Sequence, residues 1–173
     1  MSAAFSTEPF ATLAQRLDWK RNPLGEVAHW PQSLRTCAQM VMHSPMPMLL
    51  LWGEQLTQLY NEGFARLAGD KHPAAFGQSV HECWPEYREF IEPILKDVFL
   101  GQSHTYIDQY FLLPDQQHAT ELWLDLTFSP VCDEQGRVAG LLMMAVKTSR
   151  RRRTAIKLRQ RSLASRRAQH DSE

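Results

Sequence analysis

Cysteine is scarce in this chain: Cys37, Cys83 and Cys132 are the only three in 173 residues. No two of them form a C-x-x-C pair and their number is odd, which argues against a disulfide framework and against a paired-thiolate zinc site. A reduced, cytoplasmic setting is expected. Long apolar runs are also missing. The strongest, "PMPMLLLW" at 45–52, falls well short of the ~20 residues that span a bilayer. The opening "MSAAFSTEPF" lacks the basic segment and apolar core of a signal peptide. Net charge is absent too, with 19 Lys/Arg against 19 Asp/Glu. That zero hides a split. Residues 1–149 carry 10 Lys/Arg and 17 Asp/Glu, a net of −7, and residues 150–173 carry 9 and 2, a net of +7.

What is present is enough apolar content, 43% of residues, to build one domain core. Helical spacing is visible at Phe10, Leu13, Ala14 and Leu17, followed by a Pro- and Gly-punctuated connector. Trp30-Pro31 opens a second helix whose apolar face is read as Leu34, Cys37, Met40 and Val41. Two short strands, 47–53 and 55–61, follow as a hairpin, and then a short helix closed by Gly69. Residues 86–101 read as a longer helix with Phe90, Ile94, Leu95, Val98 and Phe99 inward, and Pro93 is expected to kink it or move its start. Three strands end the body. The first sets Tyr106, Asp108, Tyr110 and Leu112 against Ile107, Gln109, Phe111 and Leu113. The second sets Leu122, Leu124, Leu126 and Phe128 against Trp123, Asp125 and Thr127. This order predicts an α+β domain, a five-stranded antiparallel sheet with helices packed on one face.

Several motifs in this order resemble a known family. "NEGFARLAG" places Asn61, Phe64 and Gly69 as in the N-x-x-F-x-x-x-x-G helix of PAS domains. "FSPVCDEQGRVAGLL" carries Ser129, Pro130, Val131, Asp133, Gly136, Val138 and Gly140 in the pattern of that family's closing hairpin. With "NPLGEVAHWPQSLRT", they are similar to N-terminal PAS modules of bacterial sensor histidine kinases, over about residues 18–148. The resemblance implies a sensory, non-catalytic module that binds a small ligand or a partner in a two-component-type pathway, often as a homodimer. It divides the chain into an N-terminal helical extension (1–44), a PAS sensor domain (45–148) and a basic tail (149–173). Physically these residues are folding devices first. Asn61 can cap the helix it precedes, Gly69 can end it, and Asp133 with Gly136 supplies a hairpin turn.

Catalytic constellations do not emerge. His81-Glu82-Cys83 is the one tempting cluster, but it has no second Cys/His pair at metal-ligand spacing, and a reactive thiol would need an oriented base. No metal site is assigned. Flavin-binding PAS domains hold their cofactor around a G-x-N-C-R-F-L-Q stretch, and the comparable "GQSVHECWPE" keeps Gly77 alone of its marked residues. An axial His for haem is absent from the longer helix. The motifs thus argue against both groups, and the cofactor is left unassigned.

An apolar pocket between sheet and helices is the remaining candidate site. From the hairpin and short helix it would draw Leu49, Leu51, Tyr60 and Phe64, and from the loop and longer helix Trp84, Phe90, Ile94 and Val98. The last strands would add Tyr110, Trp123, Met143 and Ala145, with Tyr60, Tyr110 and Asp125 as its polar groups. The competing reading is a filled core. The second helix is an expected dimer surface. The Arg-rich tail, with no H-box, ATP-binding segment or GGDEF-like sequence, reads as a solvated segment or as a contact for nucleic acid or an anionic membrane. A truncated histidine kinase is the alternative reading of the whole.

Overall fold

The computed structural model describes residues 14–15, 17–113, 120–148 and 158. The helix expected over 8–17 and the tail apart from Leu158 therefore lie largely outside the described residues. Five strands form one antiparallel sheet: β1 (Met48–Trp52), β2 (Thr57–Tyr60), β3 (His104–Leu113), β4 (Thr120–Cys132) and β5 (Val138–Lys147). Their spatial order is β2-β1-β5-β4-β3, so the first and last long segments lie side by side at the centre. Among the described residues, the complete α-helices are α1 (Gln32–His43), α2 (Glu62–Ala68), α3 (Val80–Cys83) and α4 (Arg88–Phe99). This is the five-stranded α+β arrangement that the element order predicts.

Helices α2 to α4 cover the face of the sheet that carries Leu49, Leu51, Leu141 and Met143. Side chains alternate along a strand, so Leu50 and Leu59 point to the other face, yet both are fully buried. Helix α1 packs on β1 and β2 and supplies that second cover. Its buried stripe is Leu34, Ala38 and Val41, at spacings of four and three. Met40, expected in the stripe, is 62% exposed because it stands one position short of Val41, about 100° round the helix. Phe99 is turned outward for the same reason, beyond a stripe of Ile94, Leu95 and Val98. Pro93 lies inside α4, which runs through it after a single 3-10 turn at Pro85–Tyr87.

Two polar devices tie α1 to the rest of the fold. Pro31 precedes α1 and has no side-chain acceptor for the first turn. Glu134, from the β4–β5 turn, fills that role by accepting from Ser33 N–H at 2.7 Å and Ser33 Oγ at 3.1 Å. Asn61 joins the far end of α1. Its Oδ1 accepts from Phe64 N–H at 3.0 Å, capping α2, and from Met48 N–H at 3.1 Å. Its Nδ2 lies within hydrogen-bond distance of the carbonyls of Val41, Ser44 and Met46. One buried amide therefore fastens α1, β1 and α2 together.

The closing hairpin turns at Asp133, whose carboxylate accepts from Gln135 and Arg137 N–H, both at 2.9 Å, with Gly136 at a φ of 77°. Just beyond it, Gly140 allows a close approach to β1. A Cβ there would lie 2.6 Å from the Leu51 carbonyl oxygen and 2.7 Å from the Trp52 ring. The edge of β2 is shielded rather than open: Gln58 N–H donates to Gln78 O and Gly77 N–H to Gln58 O.

Candidate ligand cavity

Between sheet and helices lies a cavity of about 100 Å3. Its floor comes from alternate residues of the central strands: Leu49 and Leu51 of β1, Leu141 and Met143 of β5. Leu122, Leu124, Leu126 and Phe128 of β4 extend that floor, every second residue of a strand whose intervening side chains face away. The roof is Phe64, Leu67 and Ala68 of α2, with Phe90, Ile91, Ile94 and Leu95 of α4. Val80, Trp84 and Tyr87 close one side, and Phe111 and Leu113 of β3 the other.

Seven nominated residues thus sit at the cavity: Leu49, Leu51, Phe64, Trp84, Phe90, Ile94 and Met143. Val98 and Ala145 are fully buried in the core away from it. Tyr60 is buried as well, but it packs behind Phe64, at 5.2 Å between rings, and against Phe76 at 5.3 Å. Burial pushes its phenol pKa well up, and desolvation pulls that of His72 down. The Tyr60 hydroxyl and His72 Nδ1 are hydrogen-bonded at 3.1 Å, the imidazole tautomer setting which of them donates.

Three nominations are corrected by the sheet geometry. Tyr110, Trp123 and Asp125 lie on the face opposite the cavity. Trp123 and Asp125 alternate with the lining leucines of β4, and Tyr110 pairs with Trp123 at 5.0 Å between rings. The cause on β3 is a bulge between Tyr106 and Gln109, centred on Asp108 at a φ of 56°. The extra residue reverses the alternation. Tyr106 faces inward, 5.3 Å from Phe90, and beyond the bulge Phe111 does the same at 5.6 Å. Asp125, nominated as a polar pocket group, accepts the Asp108 N–H at 2.8 Å and holds the bulge. Two groups of strand residues are among the lining residues that sequence reasoning missed. The β4 set was visible as one alternating face, whereas Phe111 and Leu113 were hidden by the bulge.

The polar groups near the cavity are tied to one another. Trp84 Nε1–H donates to Gln58 Oε1 at 2.8 Å, and Gln58 Nε2 donates to the Ala75 carbonyl at 3.3 Å. Lys71 Nζ stands 4.6 Å over the Trp84 ring and pairs with Glu86 at 2.7 Å. The tempting triplet is spread over separate tasks. His81 Nδ1 is 3.5 Å from Glu92, and Cys83 is a half-buried free thiol whose pKa burial pushes up. Among the described residues, no group of three His, Cys, Asp or Glu is placed to hold a metal. No helix of the described residues is long and apolar enough to cross a membrane.

Sheet order, helical roof and apolar cavity together define one α+β fold class. A family model described as "PAS fold" matches residues 41–153, well over half of the chain. The chain belongs to the PAS family, a family of sensory domains. Among solved structures, the PAS domain of Bordetella pertussis BvgS is similar at 17% identity, covering 76% of this chain and 97% of that one, with a TM-score of 0.55. An RNA-binding light-oxygen-voltage receptor is similar at 17% identity over 86% of this chain, with a TM-score of 0.53, and the chain spans 42% of that receptor. A Rhodobacter sphaeroides LOV protein is similar at 13% identity over 69% of this chain and 68% of that one, with a TM-score of 0.52. No curated protein matches in sequence. These likenesses are of fold.

The flavin weighed against the sequence motifs does not fit the residues here either. A cavity of about 100 Å3 is below the range of pockets for drug-sized ligands, roughly 300–1,000 Å3. Cys83 is not among the lining residues, and the described lining offers no nitrogen or oxygen atom to a flavin's polar edge. No histidine lines the cavity among the described residues either, so haem has no axial ligand there.

Proposed function

We propose that this PAS domain is a non-catalytic sensor in which a small molecule enters the cavity and shifts α2 and α4 against β4 and β5. The observation that carries this reading is the cavity itself, space left unfilled within a core that is elsewhere closely packed. β5 is the output path. Leu141 and Met143 border the cavity, and the same strand runs on to Thr148, where the basic tail begins. Thr148 N–H donates to the Trp123 carbonyl at 2.9 Å and its hydroxyl to Asp108 at 3.0 Å, so the exit is fastened to β4 and β3. In this reading the domain works in the cytoplasm, in a two-component-type pathway. It acts as a homodimer through the exposed side of α1 or by docking on a signalling protein. Filling the cavity with Leu126→Trp tests the coupling without a ligand. Amide hydrogen exchange over Val146–Thr148 should change by severalfold, and unchanged exchange there would remove β5 as the path.

A second reading has its own observation, the 9 Lys/Arg of residues 150–173. Such a tail binds nucleic acid or an anionic membrane by counterion release. It predicts retention on DNA or RNA that falls with salt and disappears when residues 150–173 are deleted. Retention that survives the deletion counts against it. The histidine-kinase variant, in which this domain is the sensor half of a longer enzyme, predicts a kinase reading frame directly downstream.

A further inference from the structure

The chemistry of the cavity wall narrows the ligand, on the basis of the sensory reading above. The described lining presents carbon and the Met143 thioether, with no nitrogen or oxygen. The two wall residues with polar ring groups have committed them elsewhere. Trp84 Nε1–H donates to Gln58, and Tyr87 O–H donates to the Leu112 carbonyl at 2.8 Å. Each carries a single hydrogen, so neither can turn a donor inward without breaking that bond.

Six of the twenty lining residues carry rings, and neighbouring ones meet edge to face. Tyr87 and Phe111 are 5.4 Å apart at 77°, and Phe90 and Phe111 are 5.6 Å apart at 83°. A planar apolar ring entering among them continues the same packing. The size agrees. Engineered apolar cavities of ~150 Å3 stay dry and take benzene or xenon, and this one is about 100 Å3 with an unbranched, adaptable Met143 in its wall. We infer that the cavity recognises a neutral aromatic hydrocarbon of about one ring, and that it discriminates against ring compounds carrying a hydrogen-bonding substituent. A hydroxyl buried there loses its water partners and gains none, a penalty of about tenfold in affinity or more.

Benzene and phenol, which differ by that one hydroxyl, make the test. The full chain is labelled at its methionine methyls, and the Met143 signal, identified by its loss in Met143→Leu, is followed in titrations with benzene, phenol and indole. The expected result is a saturable benzene-induced shift, with phenol weaker by about tenfold or more. The shift should be absent in Leu126→Trp with cooperative melting retained. If that variant does not fold, the wild-type titrations decide alone. Phenol binding as tightly as benzene overturns the apolar-ring class and leaves the ligand-sensing cavity standing. No shift with any of the three probes overturns both.

Discussion

The two ends of the sheet use apolar strands in opposite ways. At one end, β1 and β2 are sandwiched: Leu49 and Leu51 face the cavity, Leu50 and Leu59 face α1, and all four residues of β2 are buried. At the other end β3 and β4 bury one face only, and Ile107, Tyr110 and Leu112 stand exposed on the reverse. A strand closed on both faces has no slack and behaves as a platform, locked further by the five hydrogen-bond contacts of Asn61. The cavity lies towards the half whose outer face is open. On the proposed sensory reading, repacking there would move β4 and β5 without disturbing a second layer.

The comparison can be broken by mutation. Leu50→Ala should cost about 2–5 kcal/mol, as expected for a leucine fully enclosed by packed neighbours, whereas Leu112→Ala on β3 should stay within about 0.5 kcal/mol. Urea denaturation measures both, and equal losses would mean that the two ends are not different in kind. Asn61→Ala should come next, at about 2–4 kcal/mol, because it removes a helix cap and leaves buried backbone groups unpaired. Asn61→Asp should be no better, since a carboxylate keeps the cap but faces the Val41, Ser44 and Met46 carbonyls with no donor. A harmless Asn61→Asp would show that the α1 junction matters little.

Smaller effects sharpen the picture at the cavity wall. Trp84→Phe keeps a ring in place but leaves Gln58 Oε1 without its donor, for a loss of about 1–3 kcal/mol. Adding Gln58→Leu should recover part of that loss, and a purely additive double mutant would contradict the pairing. The smallest expected effect is in pH. His72 has a pKa lowered in the folded state by desolvation, so the unfolded chain binds its proton first. Its contribution is complete above the ordinary histidine pKa of about 6.5 and is lost as pH falls from there through the depressed folded value. His72→Gln should flatten this slope in stability measured between pH 7 and 5, and an unchanged slope assigns it to other groups.

How much of this was readable beforehand varied with the kind of interaction. Asn61, Gly69, Asp133 and Gly136 were recognisable because caps and turns are local: the partner lies within a few residues. The cavity floor on β4 was legible from strict alternation of Leu122, Leu124, Leu126 and Phe128. Choosing Trp123 and Asp125 instead drew on the wrong face of that same strand. Tyr110 failed for another reason, since a bulge at Asp108 changes which parity faces inward, and the Asp108 N–H is held there by Asp125 on a neighbouring strand.

The amino-acid sequence on its own determined the order of helices and strands, the turns between them, and the separation of an acidic body from a basic tail. These follow from propensity, periodicity and charge, which act between near neighbours. Tertiary structure alone decided that Glu134 would cap a helix beginning 102 residues earlier at Gln32, which side of β3 would face the core, and that an apolar space would remain unfilled. Those outcomes depend on side chains from distant segments meeting at one place, and no local pattern encodes the volume left between them.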